Sequence, residues 1–494
     1  MQKQDIPTLT HRATHAAWWS ALEIASRYGV QFVVTIVLAR LLHPADFGMV
    51  AMLLVFTLFA ALMVDGGFGI ALVQKQVPTE NDETTAFLTS LAAGIALALA
   101  LWLAAPAIAG FYSQPELTRL MRLLVLTLPM GAIAAVPNAV LTLRLDFRTR
   151  AAAEFIASLC SGVLAVALAW RGFGVWSLVW QSVAGAAMRA LLLWMFSGWR
   201  PRGRFDMSAF RGLFRFGGYM LLANALNTVS VRLQSLLIGR VLDARSLGFY
   251  SLAQDTQQAP AQFMGGLLNR VGLPVFSTVA DQPAKLAGAM RLSLRLAIFV
   301  FAPCMAGIAL VAKPLIIVLY GAKWAPAAPV LSVLALAAMF WPLHVLNLAA
   351  IGARGRSDLV FRLEIAKFLV SAPLVVLGSM HGIQAVAWAV LITGVLAIFI
   401  NTRHAKALVG YGAFEQLRDQ SATLLLTAAS IGAAWLAMRW TKGAPMSLAM
   451  AVLVAVFVYV AGAASTKIAP WRESIELWKA FRMGRIAPAK DLGR

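Results

Sequence analysis

The stretch Arg40-Leu41-Leu42-His43-Pro44-Ala45-Asp46-Phe47-Gly48 is echoed by Arg240-Val241-Leu242-Asp243-Ala244-Arg245-Ser246-Leu247-Gly248, each at the end of a long apolar segment. Arg, Leu and Gly recur at one fixed offset, and self-similarity at a fixed offset is the sign of a duplicated unit. The register persists, since Gly66-Gly67 falls one residue off the same offset from Gly265-Gly266. Beyond that the spacing drifts while the order survives. Phe111-Tyr112 has its counterpart in Leu319-Tyr320-Gly321, and Asp146-Phe147-Arg148 in Arg354-Gly355-Arg356. Two similar membrane units can enclose a site and rock about it, which is how many transporters are built.

Composition sets the solvent. Hydrophobic residues make up 60% of the chain, charged residues 13%, and mean hydropathy is +0.77, far from the range of soluble domains. The apolar runs are about 20 to 26 residues long, enough for a helix to cross a bilayer and too long for barrel strands. The first run, residues 16 to 38, is of full spanning length without a cleavage pattern and is expected to remain as the first helix. About fourteen spans are expected, centred near residues 27, 60, 97, 131, 160, 186, 226, 259, 305, 338, 369, 393, 429 and 455. Cys160 and Cys304 fall inside such runs and read as small packing residues.

The net charge of +21 and pI near 10.9 would suggest nucleic acid in a soluble protein. Here topology accounts for them, and no nucleic-acid partner is implied. With a cytoplasmic N-terminus, basic residues favour the inner side by roughly three to one, placing both termini in the cytoplasm. Six spans separate the copies, so both halves share one orientation. The resulting plan is an N-terminal six-helix lobe (1–198), a basic cytoplasmic linker (199–216), a second six-helix lobe (217–405), two further spans (406–466) and a basic amphipathic tail (467–494). In the tail, Trp471, Ile475, Trp478 and Phe481 gather on one helical face. That pattern suits an interfacial helix, and equally a solvated basic tail that only enforces topology.

Ionised groups at mid-bilayer cost about 2.5 to 3.5 kcal/mol on insertion scales, so those present should meet water or a partner. The first helix carries Glu23, Arg27, Gln31 and Thr35 at four-residue spacing, one stripe on which Glu23 and Arg27 can pair. Its counterpart carries Asn224, Thr228 and Arg232, and the next span Gln254, Gln258 and Gln262 with Asp255 beside them. The glutamines fit either a polar lumen or hydrogen bonding between helices. Arg189 and Lys367 are further cations, open to snorkelling or local pairing, with Glu364 one turn from Lys367. Asp65, ahead of Gly66-Gly67, is either a turn residue or an ion-coupling site.

Catalysis finds little support. Outer loops stay below about 20 residues, too short for a separate catalytic module. The six histidines show no ligand spacing, and there is no phosphate-cradling Gly-rich motif and no nucleophile constellation. No cofactor is implied, and an all-α polytopic transporter is favoured over a polymerase or ligase.

Several stretches resemble the Wzx-like polysaccharide transporter flippases of the multidrug/oligosaccharidyl-lipid/polysaccharide superfamily. They include Trp18-Trp19-Ser20, Leu38 to Leu42 with Asp46-Phe47-Gly48, Asp65 to Gln74, Leu145 to Arg148, Gly172 to Ser177, Leu247 to Tyr250, Pro274 to Ser277 and Tyr320 to Trp324. The resemblance implies a fourteen-helix, two-lobed protein of the bacterial inner membrane with a V-shaped cationic cavity. It implies alternating access, with polyprenyl-pyrophosphate-linked oligosaccharide carried outward for exopolysaccharide, capsule or O-antigen assembly. A cation-coupled exporter of small molecules and a lipid II flippase share the same fold. Membrane lipids surround such a protein, and a polysaccharide polymerase and glycosyltransferases are its expected partners. Candidate substrate residues are Arg27, Gln31, Arg189, Asn224, Thr228, Arg232, Gln254, Gln258 and Arg270, and candidate ion-coupling residues are Glu23, Asp65 and Asp255. No catalytic residue or metal site is expected.

Overall fold

The computed structural model describes residues 29–75 and 77–482, and the described residues form helices joined by short turns, without a strand. A peptide group in hydrocarbon must bond within its own segment, and an apolar run of this length does so only as a helix. In chain order the helices are α1 (Gly29–Leu41), α2 (Pro44–Asp65), α3 (Phe68–Gln74), α4 (Glu80–Tyr112), α5 (Leu117–Leu124), α6 (Thr127–Leu143), α7 (Phe147–Trp170), α8 (Val175–Phe196) and α9 (Met207–Val241). They continue with α10 (Ala244–Thr278), α11 (Pro283–Tyr320), α12 (Ala327–Ala338), α13 (Trp341–Ala353), α14 (Ser357–Ser379), α15 (Ile383–Val409), α16 (Ala413–Met438), α17 (Ala444–Thr466) and α18 (Ala469–Arg482). Every expected span centre from 60 to 455 falls on a helix, and the one near 27 lies outside the described residues. Among the described residues, 10 segments are long and apolar enough to cross a membrane. The helices α9, α10 and α14 are long but fall short in apolarity, and they carry Arg232, Asp255 and Lys367.

Both halves break their fourth span, after 8 residues in the first and after 12 in the second. The spans Leu117–Leu143 and Ala327–Ala353 each cover 27 residues, interrupted between α5 and α6 and between α12 and α13. Proline is the cause. Pro129 and Pro342 have no N–H to donate to the carbonyl four residues back, so the ladder lapses. Tighter bonds take over, Leu128 N to Val125 O at 3.0 Å and Leu343 N to Phe340 O at 3.0 Å.

The chain divides into two compact units, one through Ser251 and the other from Leu252. In the first, α2, α4 and α6 pack on one another, α2 and α4 also pack on α9, and a core includes Phe68, Leu72, Phe87, Trp199 and Leu213. In the second, α11 contacts α12, α16 and α17. A polar stripe fastens α16: Gln416, Gln420, Thr423, Thr427 and Ser430 are all buried. Asn347 Nδ2 donates to Gln416 Oε1 at 2.9 Å, and Gln416 Nε2 returns a bond to Asn347 Oδ1 at 3.0 Å. Such reciprocal amide pairs hold helices together where apolar surface gains nothing over lipid. Where α15 meets α16, Tyr411 donates to Asp419 at 2.8 Å, and Arg291 holds the same carboxylate at 2.7 Å. Burial and the adjacent Asp419 carboxylate push the Tyr411 phenol above its ordinary range, so it remains the donor. The start of the tail docks here as α18, with Trp471 edge-on to Phe299 and Glu473 bonded to Arg295 at 2.9 Å. Cys160 and Cys304 differ from the packing role read from the sequence: both are free and exposed on the outer faces of α7 and α11.

The two copies of the Arg-to-Gly stretch meet. Each forms the turn into a helix, α1 to α2 and α9 to α10, and each helix start is capped by a carboxylate from a different position. His43 N donates to Asp46 Oδ2 at 2.8 Å, whereas Ser246 N donates to Asp243 Oδ1 at 2.6 Å. Both arrangements satisfy an N–H that the first turn leaves orphaned. Beyond the caps, Gly48 lies against the Ala244 carbonyl and Gly248 against the Pro44 carbonyl. A Cβ would fall 1.6 Å and 1.8 Å from those oxygens, so only glycine permits the approach. Gly48→Ala and Gly248→Ala are each expected to lower the thermal unfolding midpoint of the purified protein, at a cost of about 1–3 kcal/mol for overpacking. Gly110→Ala, whose Cβ would meet nothing within 4 Å, should leave the midpoint unchanged or raise it.

Candidate functional site

Within the first unit, α7 and α8 form a tight hairpin. Asp146 caps α7, accepting from Thr149 N at 3.1 Å and from the Thr149 hydroxyl at 2.7 Å. The turn is made by Gly172 and Gly174, at φ 83 and 55, values that disfavour side chains. A small residue keeps the returning helix close, since a Cβ at Gly185 would sit 3.3 Å from Ser161 Oγ. Two turns along α7, this approach faces Glu154 with Arg189. Arg189 Nη1 lies 3.6 Å from Glu154 Oε1, and the two side chains are 38% and 14% exposed.

This pair stands between two polar cavities. One, about 220 Å³, is lined by Asp65, Thr127, Asn138, Glu154 and Arg189 among apolar groups. The other, about 280 Å³, is lined by Gln31, Glu154, Ser158, Ser161, Gln181 and Arg189. Arg189 carries five N–H donors, and a single long contact to Glu154 leaves most of them free to meet a ligand's oxygens. Asn138 Oδ1 is buried without a hydrogen-bond partner, an acceptor that a ligand hydroxyl or water can satisfy. Amides, hydroxyls and one loosely held cation suit sugar hydroxyls and acidic oxygens. Among the described residues no His, Cys, Asp and Glu group could hold a metal.

Of the residues expected from sequence, Arg189 belongs to this pair, Asp65 lines the first cavity and Gln31 the second. Thr228 and Arg232 are half-buried on α9, Gln254 and Gln258 are half-buried on α10, and Asp255 is exposed there. Asn224 and Arg270 lie on the same two helices, with side chains outside the described set, and Glu23 and Arg27 fall outside the described residues. Lys367 bonds Glu364 one turn back, the local pairing that spacing allowed. Sequence reasoning missed Glu154, Asn138, Ser158 and Gln181. The signal for Glu154 was present: an acid two turns inside the apolar run Phe147–Trp170 requires a partner.

Glu154→Ala should cost about 1–2 kcal/mol by leaving Arg189 without its carboxylate in a partly dehydrated site. The double variant Glu154→Ala/Arg189→Ala should recover part of that loss, measured as thermal midpoints in one detergent.

Comparison with known proteins agrees with this architecture. Residues 37–329 match the family model described as "Polysaccharide biosynthesis protein". The succinoglycan biosynthesis transport protein ExoT of Rhizobium meliloti (strain 1021) is 28% identical over 395 residues, 79% of this chain and 80% of that protein. The teichuronic acid biosynthesis protein TuaB of Bacillus subtilis (strain 168) is 26% identical over 464 residues, 92% of this chain and 96% of that protein. Among solved structures, the lipid II flippase MurJ in an inward closed conformation superposes with a TM-score of 0.73 at 13% identity, covering 92% of this chain and 98% of that one. The repeated helices, the broken fourth spans and the polar interior therefore belong to a member of the polysaccharide biosynthesis protein family, with a fold like that of MurJ.

Proposed function

We propose that the chain is a flippase that moves polyprenyl-pyrophosphate-linked oligosaccharide repeat units from the cytoplasmic to the periplasmic face of the bacterial inner membrane, with both termini in the cytoplasm. The observation that carries this reading is the pair of cavities with polar lining groups that share Glu154 and Arg189 within the first helical unit. Amide and hydroxyl groups there match sugar hydroxyls, and a cation with spare donors matches phosphate or acidic sugar. The prenyl chain needs no such site, because it remains in lipid. Arg27, Arg232 and Arg270 supply further charge, and Asn224, Thr228, Gln254 and Gln258 further hydrogen bonds. Glu23, Asp65 and Asp255 are the candidates for ion coupling. Transport requires differential binding of cargo to two states, not bond making, so the reading includes no enzymatic step. A polysaccharide polymerase and the glycosyltransferases that build the repeat unit are the functional partners.

A lipid II flippase is the second reading, favoured by the likeness to MurJ in fold. A cation-coupled exporter of small molecules is the third. Deletion of the gene separates them. The proposal expects lipid-linked repeat units to accumulate at the cytoplasmic face with loss of surface polysaccharide. Accumulated lipid II, or drug sensitivity with normal polysaccharide, would instead support the second or third reading. Chain extension of glycan by the purified protein would establish a polymerase.

Single substitutions test the lumen. Arg27→Ala, Arg189→Ala and Arg232→Ala should each cut surface polysaccharide by about tenfold, the loss of one charge-assisted contact, at unchanged protein level in the membrane. Normal export by all three at normal expression would remove the charged-lumen assignment.

A further inference from the structure

The segment between α8 and α9 is held like a strap across the start of α4. Trp199 Nε1 donates to Glu83 at 2.6 Å, Gly203 N to the Thr84 hydroxyl at 3.1 Å, Arg204 N to Asn81 at 2.9 Å and Asp206 N to the Thr85 hydroxyl at 2.9 Å. Gly203 is required by the closeness of the fit, since a Cβ there would lie 2.4 Å from the Glu80 carbonyl oxygen. Trp199 and Gly203 turn inward, which leaves Arg200, Arg202 and Arg204 outward at alternate positions. Arg211 and Arg215 follow, exposed on the first turns of α9.

Topology alone asks only for positive charge near a span end, Lys or Arg alike. This surface is more specific. All five of its cations are arginine, the side chain whose planar fork matches phosphate oxygens two at a time. Exposed apolar side chains sit among them: Phe196, Phe205, Met207 and Phe214 are 46%, 49%, 52% and 49% exposed. Of the nearby carboxylates, Glu83 is engaged by Trp199, Asp82 by Lys75 and Asp206 by Ser208, while Glu80 is exposed beside Gly203. Elsewhere arginines near helix ends are covered by rings, Arg122 over Trp102 at 4.3 Å, Arg240 over Phe111 at 5.4 Å and Arg439 over Trp435 at 3.8 Å. Arg200 is similarly held, stacked on Trp194 at 5.2 Å and bonded to its carbonyl at 2.7 Å. Among the described residues no carboxylate forms an ion pair with Arg202, Arg204, Arg211 or Arg215.

We propose that the strap and the first turns of α9 form a docking surface for the phosphate headgroups of anionic phospholipids in the leaflet it faces. The four unpaired arginines bind phosphate, and the exposed Phe and Met side chains enter the adjoining acyl region. Because the strap is already hydrogen-bonded to α4, binding orders few further backbone groups.

The test uses the full-length chain in phosphatidylcholine nanodiscs, with spin-labelled phosphatidylglycerol or spin-labelled phosphatidylcholine as probe. The wild type is expected to immobilise phosphatidylglycerol in preference, by about fivefold for each engaged cation before screening. The quadruple variant Arg202→Gln/Arg204→Gln/Arg211→Gln/Arg215→Gln should lose most of that preference, whereas Arg119→Gln/Arg171→Gln should keep it. An unchanged preference in the quadruple variant overturns the proposal. Should that variant fail to insert, the wild type decides: its preference must fall as salt is raised to about 0.5 M, where screening is strong, and a salt-independent preference overturns the proposal. Farnesyl diphosphate is the competitor. If it occupies the surface while phosphatidylglycerol does not, the strap receives lipid-linked diphosphate and the phospholipid assignment falls. The readout is lipid immobilisation, so it succeeds or fails independently of which cargo is transported.

Discussion

A peptide group surrounded by hydrocarbon has to find its hydrogen-bond partner inside its own segment, and most of this molecule follows from that requirement. It makes the long apolar runs helical. It also explains what happens where they stop. Asp46, Asp82, Asp146, Asp206 and Asp243 all stand at helix starts and accept from N–H groups that no helix turn can serve. Where proline removes a donor within a span, at Pro129 and Pro342, tighter bonds from the residues beside it, Leu128 to Val125 and Leu343 to Phe340, carry the chain across the break.

Much of this was legible in the sequence because hydrophobic run length and turn chemistry are local properties. The repeat predicted where the turns into α2 and α10 would fall, and apolar centres marked the helices beyond the first. Side-chain partnership was less legible because it depends on which helix faces which. Arg189 was visible as an intramembrane cation, but its partner Glu154 lies 35 positions away, on the other arm of a hairpin closed by Gly185 against Ser161. The buried stripe on α16 escaped for a related reason. The burial of Gln416, Gln420, Thr423, Thr427 and Ser430 and the Asn347 pairing show that this face is interior, which depends on the helices it meets. The strap was read as a basic linker because its inward-facing contacts are made by backbone N–H groups, which every sequence contains.

The site gains from being built on rigid arms. A loop could present the same amides and hydroxyls, at a larger ordering cost on each binding event. Here Gln31, Ser158, Gln181 and Arg189 project from helices already packed together, so the cost of positioning them is met once, in folding. The loose Glu154 contact keeps Arg189 oriented without consuming its donors. A closer, bidentate pair would be more stable and less available.

The mutual approach of Gly48 and Gly248 has the pairing pattern of a two-fold contact: position 48 meets 244, and 248 meets 44. In a symmetric dimer such a contact is isologous, one patch serving as both partners. The two glycines therefore serve one junction from both sides, and a side chain at either would press apart the surface against which the other packs.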